Sequence, residues 1–414
     1  LRPSELEPNS VNVPDMLVTG LVNPDYAGDI SLSAGVDIQS IANAIDVDGS
    51  ITKGAKGGSI EQFWWPWMQT GNAADGSRSS INFGNFAQGV MSVGGNVDVE
   101  AGGDIRQLAV SLPTTWIAND DRSAITTIGQ GNLQVHAGGD ILSGNYFVSK
   151  GTADIEAGGQ IAADYSFTTN LGPGGKAQTS QVSTILGVQD AQVDVRARLG
   201  ADLGGVFNPS YYSQSDFAQL TPAGHADMQT FGSDSSLAVT SIGGDVTLGS
   251  LPAPGALFSL GAQGGAAGPV LPSTVQLRSL SGDINIMSAG ELYPSATGNL
   301  VLLADGSIGF SRQTINDSQS TSFGLIDVAP GQLPSPLSPV SLSDSYIGMT
   351  GTPPASTGLL PPPPLARTDD TPVRIYALNG DITDGMTAPN GFNFVSLVLS
   401  PSKQALVYAG RDIV

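Results

Sequence analysis

The sequence predicts an all-β chain folded as a parallel β-solenoid, and three observations carry that prediction. An eleven-residue segment, GNVDVEAGGDI at 95–105, returns as GNLQVHAGGDI at 131–141 and as GTADIEAGGQI at 151–161. Self-similarity of this kind marks a repeat architecture. Within each copy, apolar and polar residues alternate over five positions, the period of a half-buried strand. Glycine supplies 54 of 414 residues while aromatics make up only 6%, which weakens helices and asks for a core of small and branched aliphatics.

Each part of the repeat has its own reason. Val97, Val99 and Ala101 alternate with Asp98 and Glu100; Leu133, Val135 and Ala137 with Gln134 and His136; Ala153, Ile155 and Ala157 with Asp154 and Glu156. The first set of each group is expected to point into the core and the second to face solvent. A Gly-Gly pair follows, read as a sharp corner that uses positive φ. The next residue, Asp or Gln, is read as a cap that bonds nearby backbone N–H groups within its own turn. Ile then opens the next strand. Weaker copies begin at Gln192, Ser236, Thr274, Gly298, Pro372 and Ala405, and YAGDISLSAGVDI at 26–38 holds two corners close together.

Spacing selects the architecture. Gly139 and Gly159 stand 20 residues apart, too few for a propeller blade, and the segment is too β-rich for a helical solenoid. Two or three short strands per unit describe one turn that buries its apolar face only by stacking on its neighbours. The longer gaps, 36 residues from Asp104 to Asp140 and 38 from Asp245 to Asp283, hold either an extra turn or a loop thrown outward. The whole of 1–414 therefore reads as one repeat segment with three insertions: 53–92, rich in Trp; 201–235; and 310–371, with ten prolines between Pro330 and Pro364. Polyproline cannot join a sheet interior. The last insertion is expected to run as an extended surface strap or a mobile loop.

Composition excludes several functions. Net charge is −21, from 16 basic and 37 acidic residues. Phosphate backbones need clustered Lys and Arg, so nucleic acid is not an expected partner. Cysteine is absent, which removes disulfides, thiolate metal sites and cysteine nucleophiles together. No stretch reaches the roughly 20 apolar residues of a membrane span. The start, LRPSELEPNS, has no signal-peptide pattern. The end, YAGRDIV, falls inside a copy of the repeat, so the chain reads as a piece of something longer.

The copies at 95–105, 131–141 and 151–161, with their G-N-[VL]-x-V-x-A-G-G-D-I form, no cysteine and an acidic balance, resemble the large bacterial exoproteins related to filamentous haemagglutinin. The resemblance implies a right-handed parallel β-helix. It also implies export by two-partner secretion through an outer-membrane transporter, an extracellular or cell-surface location, and a role in adhesion and virulence, with a host-cell, bacterial-cell or glycan surface as partner. The N-terminal secretion domain of that family is not evident in these residues.

Candidates for chemistry are few. Some β-helices are polysaccharide lyases or hydrolases, and that is the rival reading. Asp120 and Asp121, beside Arg122 in NDDR, are adjacent carboxylates. Neighbours on a strand point to opposite faces, so the pair fits a glycosidase only on a bent loop. Gly224-His225 is a partial match to a polygalacturonase segment, and no Arg-Ile-Lys follows. His136 takes the outward place of Glu100 and Glu156; His225 has no His or Cys nearby to complete a metal site. Asp104, Asp140, Asp245, Asp283 and Asp381 lack the G-G-x-G-x-D pattern of calcium solenoids, and corner capping is the preferred account. No catalytic residue, metal or cofactor is assigned. The one binding candidate is EQFWWPWMQ: Trp64, Trp65 and Trp67 cluster with Phe63 and Met68 around Pro66. That loop is expected to fold over a flank as a hydrophobic plug, the alternative being an exposed patch for a protein or a sugar ring. A structural rod, not an enzyme, is the expected function.

Overall fold

The structure is a computed structural model that describes residues 27–40, 70–72, 79–81, 89–121, 123–169, 178–207, 231–249, 270–287, 290–310, 321–325, 369–384, 395–399 and 403–414. Every regular element among these residues is a strand, and none is helical. The largest sheet has 21 strands. The pairings below that build it are all parallel, as the repeat predicts.

Two ladders run through the copies in sequence order. The first joins Ile30–Ala34, Val97–Ala101, Leu133–Ala137, the second half of Asn145–Ala157 and the second half of Thr184–Ala197. It continues through Ser236–Ser241, Thr274–Ser279, Asn299–Ala304, Val373–Ala377 and Ala405–Ala409. Among the described residues that is ten copies, each paired with the one before it. A second ladder lies past the corner and joins Ile38, Ile105, Ile141, Ile161, Ala201, Val246, Ile284, Ile308, Ile382 and Ile413 position by position.

Register follows from burial. A one-residue slip would exchange the apolar and polar faces of a strand, so each copy locks to the next with like over like. Leu32, Val99, Val135, Ile155, Val195, Val239, Leu277, Leu302, Ile375 and Val407 form one column. Its eight middle members are buried to 1% exposure or less. The six side chains expected inside (Val97, Val99, Leu133, Val135, Ala153, Ile155) are buried; of the four expected to face solvent, Asp98, Gln134 and His136 are exposed, and Glu156 is half-buried.

Further parallel strands lie beside these two ladders, in two stacks. Val90–Met91, Ala109–Leu112, the first half of Asn145–Ala157, the first half of Thr184–Ala197 and part of Gly200–Phe207 pair in parallel. Val270–Leu271, Gly290–Leu292, Thr321–Leu325 and Val395–Val398 make a second parallel stack. Asn145–Ala157 turns from the first of these stacks into the first ladder near Gly151, whose φ of 135° only glycine takes without strain. Both sides of Asn145–Ser149 are buried.

Neither long gap adds a copy to the stack. The copy carrying Asp104 pairs directly with the one carrying Asp140, and that carrying Asp245 with that carrying Asp283. Between Asp104 and Asp140 the chain makes an antiparallel hairpin, Thr115–Ala118 with Ile125–Ile128. A second hairpin pairs Tyr165–Thr169 with Gln178–Val182. The three intervals 53–92, 201–235 and 310–371 also supply ladder strands: Val90–Met91, most of Gly200–Phe207, and Thr321–Leu325. Trp64, Trp65 and Trp67 lie outside the described residues, as do His225 and the proline cluster from Pro330 to Pro364.

The corner glycines correct the sequence expectation. Gly102, Gly103, Gly138, Gly139, Gly158 and Gly159 are not at positive φ. Stacking demands them instead. A Cβ on Gly138 would collide with the Gly102 carbonyl oxygen, and one on Gly139, Gly159 or Gly306 with the Oδ1 of Asp104, Asp140 or Asp283 in the preceding copy. The second glycine leaves room for the aspartate beneath it.

Candidate interaction surface

The repeated aspartates come first, because they carry most of the chemistry visible in the sequence. Each bonds the following copy, not its own turn. The Asp104 N–H donates to Asp37 Oδ1 at 2.8 Å, the Asp140 N–H to Asp104 Oδ1 at 2.8 Å, and the Gln160 N–H to Asp140 Oδ1 at 2.9 Å. Gly200 occupies the next place and has no side chain to continue the chain of caps. The series resumes beyond it. Asp283 N–H donates to Asp245 Oδ1 at 2.8 Å, Ser307 N–H to Asp283 Oδ1 at 2.7 Å, Asp381 N–H to Ser307 Oγ at 3.1 Å, and Asp412 N–H to Asp381 Oδ1 at 3.0 Å. An N–H placed between two stacked carboxylates offsets their repulsion across the ~4.8 Å step. The geometry makes these residues staples between copies.

A second column of staples escaped the sequence reading. The Asn96 N–H donates to Asp29 Oδ1 at 2.8 Å, the Asn132 N–H to Asn96 Oδ1 at 2.9 Å, and the Thr152 N–H to Asn132 Oδ1 at 3.1 Å. The signal was present: the repeat opens on Gly-Asp, Gly-Asn, Gly-Asn and Gly-Thr at 28–29, 95–96, 131–132 and 151–152.

The carboxylate pair in NDDR is placed by a turn. Asp120 and Asp121 sit exposed at the tip of the hairpin that follows Thr115–Ala118. Asp121 Oδ1 accepts from the Ser123 hydroxyl at 2.6 Å and the Ser123 N–H at 3.0 Å. Those bonds from Ser123 hold the Asp121 carboxyl below its usual range. A glycosidase acid needs the opposite displacement. Arg122 lies outside the described residues. His136 stands exposed on the first ladder, in register between Glu100 and Glu156.

What remains is the outward side of the first ladder, and it changes character along the stack. The two outward positions read Ser31/Ser33, Asp98/Glu100, Gln134/His136, Asp154/Glu156 and Asp194/Arg196 through the first five copies. They then read Ala238/Thr240, Gln276/Arg278, Val301/Leu303, Arg374/Tyr376 and Leu406/Tyr408. All five acidic side chains of this face lie in the early half, among Ser, Gln, His and Arg196, while arginine, tyrosine and aliphatics predominate in the late half. Asp154 is already engaged by Arg196 across one copy step. Leu406 and Tyr408 are 37% and 52% exposed, and the Tyr376 and Tyr408 rings meet edge to face at 6.5 Å. At the corner beside this ladder Leu280 and Leu378 are 52% and 44% exposed, with Asp305 at the same corner of the copy between them. Contiguous exposed apolar side chains mark contact surfaces.

No protein-family model matches this chain, and no curated protein or solved structure does.

Proposed function

We propose that the chain is a right-handed parallel β-helix, a structural and adhesive segment of a secreted bacterial surface exoprotein of the filamentous haemagglutinin kind. One observation carries the reading. The residues with chemical potential, the aspartates of the repeat, are engaged in bonding copy to copy and do not converge on a cleft. Ten stacked copies at about 4.8 Å each make a stiff body about 43 Å from first strand to last. Such a body works by geometry: it holds loops, or whatever is joined to it, at a fixed distance from a surface. The right-handed sense follows the rule for parallel crossovers and the family likeness. Passage through an outer-membrane partner transporter and an extracellular location belong to the same reading.

The late half of the outward face, with Arg278, Arg374, Tyr376, Leu406 and Tyr408, is the contact surface in this account. Its partner is a glycan or protein surface of a host or neighbouring cell, bound without chemical change. The test is retention against turnover. Beads coated with the chain should be held on cell or polysaccharide surfaces, with less retention after Arg374→Ser and Tyr408→Ser. Release of reducing ends or unsaturated uronates from a polysaccharide panel would instead establish the enzymatic alternative.

A further inference from the structure

Beside the two outward columns of the first ladder runs a third, at the corner. The N–H just past each strand bonds the last carbonyl of the preceding copy's strand, which fixes the order of this column. Gly102, Gly138 and Gly158 hold it in early copies; Ile242, Leu280 and Leu378 hold it later, with Arg198 before them and Asp305 among them. Ile242, Leu280 and Leu378 are 59%, 52% and 44% exposed. Across the three columns, the copies before Ser236–Ser241 therefore carry acids and glycines. The copies after it carry bulky side chains with Arg278 and Arg374. Arg196 is engaged by Asp154, while Arg278 bonds its own strand neighbour Gln276 and pairs with no carboxylate among the described residues. The eight copies from Val97–Ala101 to Val373–Ala377 are each paired on both sides within the chain, so this pattern belongs to the interior of the stack.

We infer that this face docks on the same face of a second copy of the chain, with the two stacks antiparallel. The twofold axis runs along the strands and passes between Thr184–Ala197 and Ser236–Ser241. It keeps each column against itself and reverses the order of copies. Asp98 then faces Arg374, and Glu156 faces Arg278. Glu100 faces the Tyr376 hydroxyl, and Asp154 faces the Gln276 amide. In the corner column Gly102 faces Leu378 and Gly158 faces Leu280, so bulky side chains meet places that carry none. The register is selective. Moving the axis by half a copy step sets Arg278 against Arg196 or His136, and a whole step leaves one of the two arginines facing no carboxylate. A twofold axis along the stack would set each copy against itself, with Asp98 and Glu100 against acids and Arg278 against Arg278; such like-charge contacts exclude a pairing. Eight copies and three columns span about 34 Å by about 20 Å, roughly 700 Å² per partner, toward the low end for a specific contact. With a net charge of −21 on each chain, the result is a weak dimer. The inference rests on reading the outward face as a contact surface and names the chain itself as its protein partner. The two fail separately: retention on cells and polysaccharide reports that reading, and mass in solution reports this one.

The experiment is sedimentation equilibrium of the full chain over a concentration series, with charge exchange at the Asp98–Arg374 contact. Mean mass should rise with concentration and level off at two chains, because a contact that uses the same patch on both partners closes. Arg374→Asp alone, or Asp98→Arg alone, brings like charges together twice in each dimer and should weaken association at least about tenfold. Both substitutions in one chain restore opposite charges and should return the affinity to within about threefold of the original. Both positions are on the outward face, and far-ultraviolet circular dichroism checks that each variant keeps its strands. Spin labels give the orientation. A label on Thr240→Cys should lie about 10–15 Å from its counterpart in the dimer, and one on Glu100→Cys about 35 Å. A chain that stays monomeric across the series overturns the inference. So do single exchanges without effect, a double exchange that fails to restore association, mass that climbs past two chains, or a short distance from Glu100→Cys.

Discussion

Asp283 and Gly306 allow the stapling of copies to be measured as a coupling. Asp283 Oδ1 accepts the Ser307 N–H at 2.7 Å in a partly buried corner. The same oxygen occupies the space that a Cβ on Gly306 would need. Asp283→Ala leaves the N–H without its acceptor and should cost about 1–2 kcal/mol, the range for a partly buried donor left unpaired. Asp283→Asn keeps an oxygen in place and should cost about half as much or less. Gly306→Ala should cost about 2 kcal/mol in the native background, because the carboxylate must be displaced and its hydrogen bond lost. With Asp283→Ala already present, that obstruction is gone, and the second substitution has only the Gly282 carbonyl to accommodate. The double variant should therefore be more stable than the sum of the singles by about 1 kcal/mol or more. Urea denaturation followed by circular dichroism measures all four corners of the cycle, and hydrogen exchange at the Ser307 amide should accelerate in Asp283→Ala. Additive substitutions, or Asn as damaging as Ala, would refute the staple.

Further expectations test other parts of the account. Val135→Asp buries an unpaired charge and should destabilise by at least about 3 kcal/mol, whereas His136→Asp, exposed between Glu100 and Glu156, should cost under about 1 kcal/mol from like-charge contact; equal losses in denaturation would mean the register is wrong. Excess chelator should leave the thermal midpoint unchanged, since the corner carboxylates are occupied by backbone N–H groups; a fall restored by calcium would move them to metal ligation. Burial acts to raise the Asp369 carboxyl, but the hydrogen bonds from Lys403 and Thr371 outweigh it and hold the group below its usual 3.8. The lowered value means that this contribution to stability is complete above the ordinary carboxylate range and is lost as pH falls through the folded value. Lys403→Met should weaken that acid-range dependence, because the buried ammonium, which also bonds the Gly298 carbonyl, is the larger of the two supports and only the bonds from Thr371 remain.

Much of the stack was legible because its strands are buried on one side only. Val97–Ala101 and Leu133–Ala137 alternate cleanly in sequence, and their burial alternates with them. The stacks beside the two ladders were not legible for the same reason reversed. Ala109–Leu112 is buried at all four positions, so AVSL carries no period to read. The corner glycines show where local reasoning fails. Positive φ is a property of one residue, while the oxygen that excludes a Cβ at Gly139 belongs to Asp104, 35 residues earlier and one copy below. The same distance hid the real acceptors: Ser307 Oγ, for example, bonds an amide 74 residues along the chain. The outward gradient from Asp98 and Glu100 to Arg374 and Tyr376 needed the pairing order as well, because neither end is unusual in composition alone.

The most direct test of the central claim uses the absence of cysteine, which makes two introduced thiols the only sites for spin labels. His136→Cys would be paired in turn with Cys at Thr240, Arg278, Leu303, Tyr376 and Tyr408, one outward position in each of the last five copies. Pulsed electron resonance should return mean distances that climb from about 14 Å to about 34 Å, in even steps of about 4.8 Å per copy. Distances that fail to rise in that order, or that rise with residue number instead of copy number, would contradict a stack of parallel in-register copies.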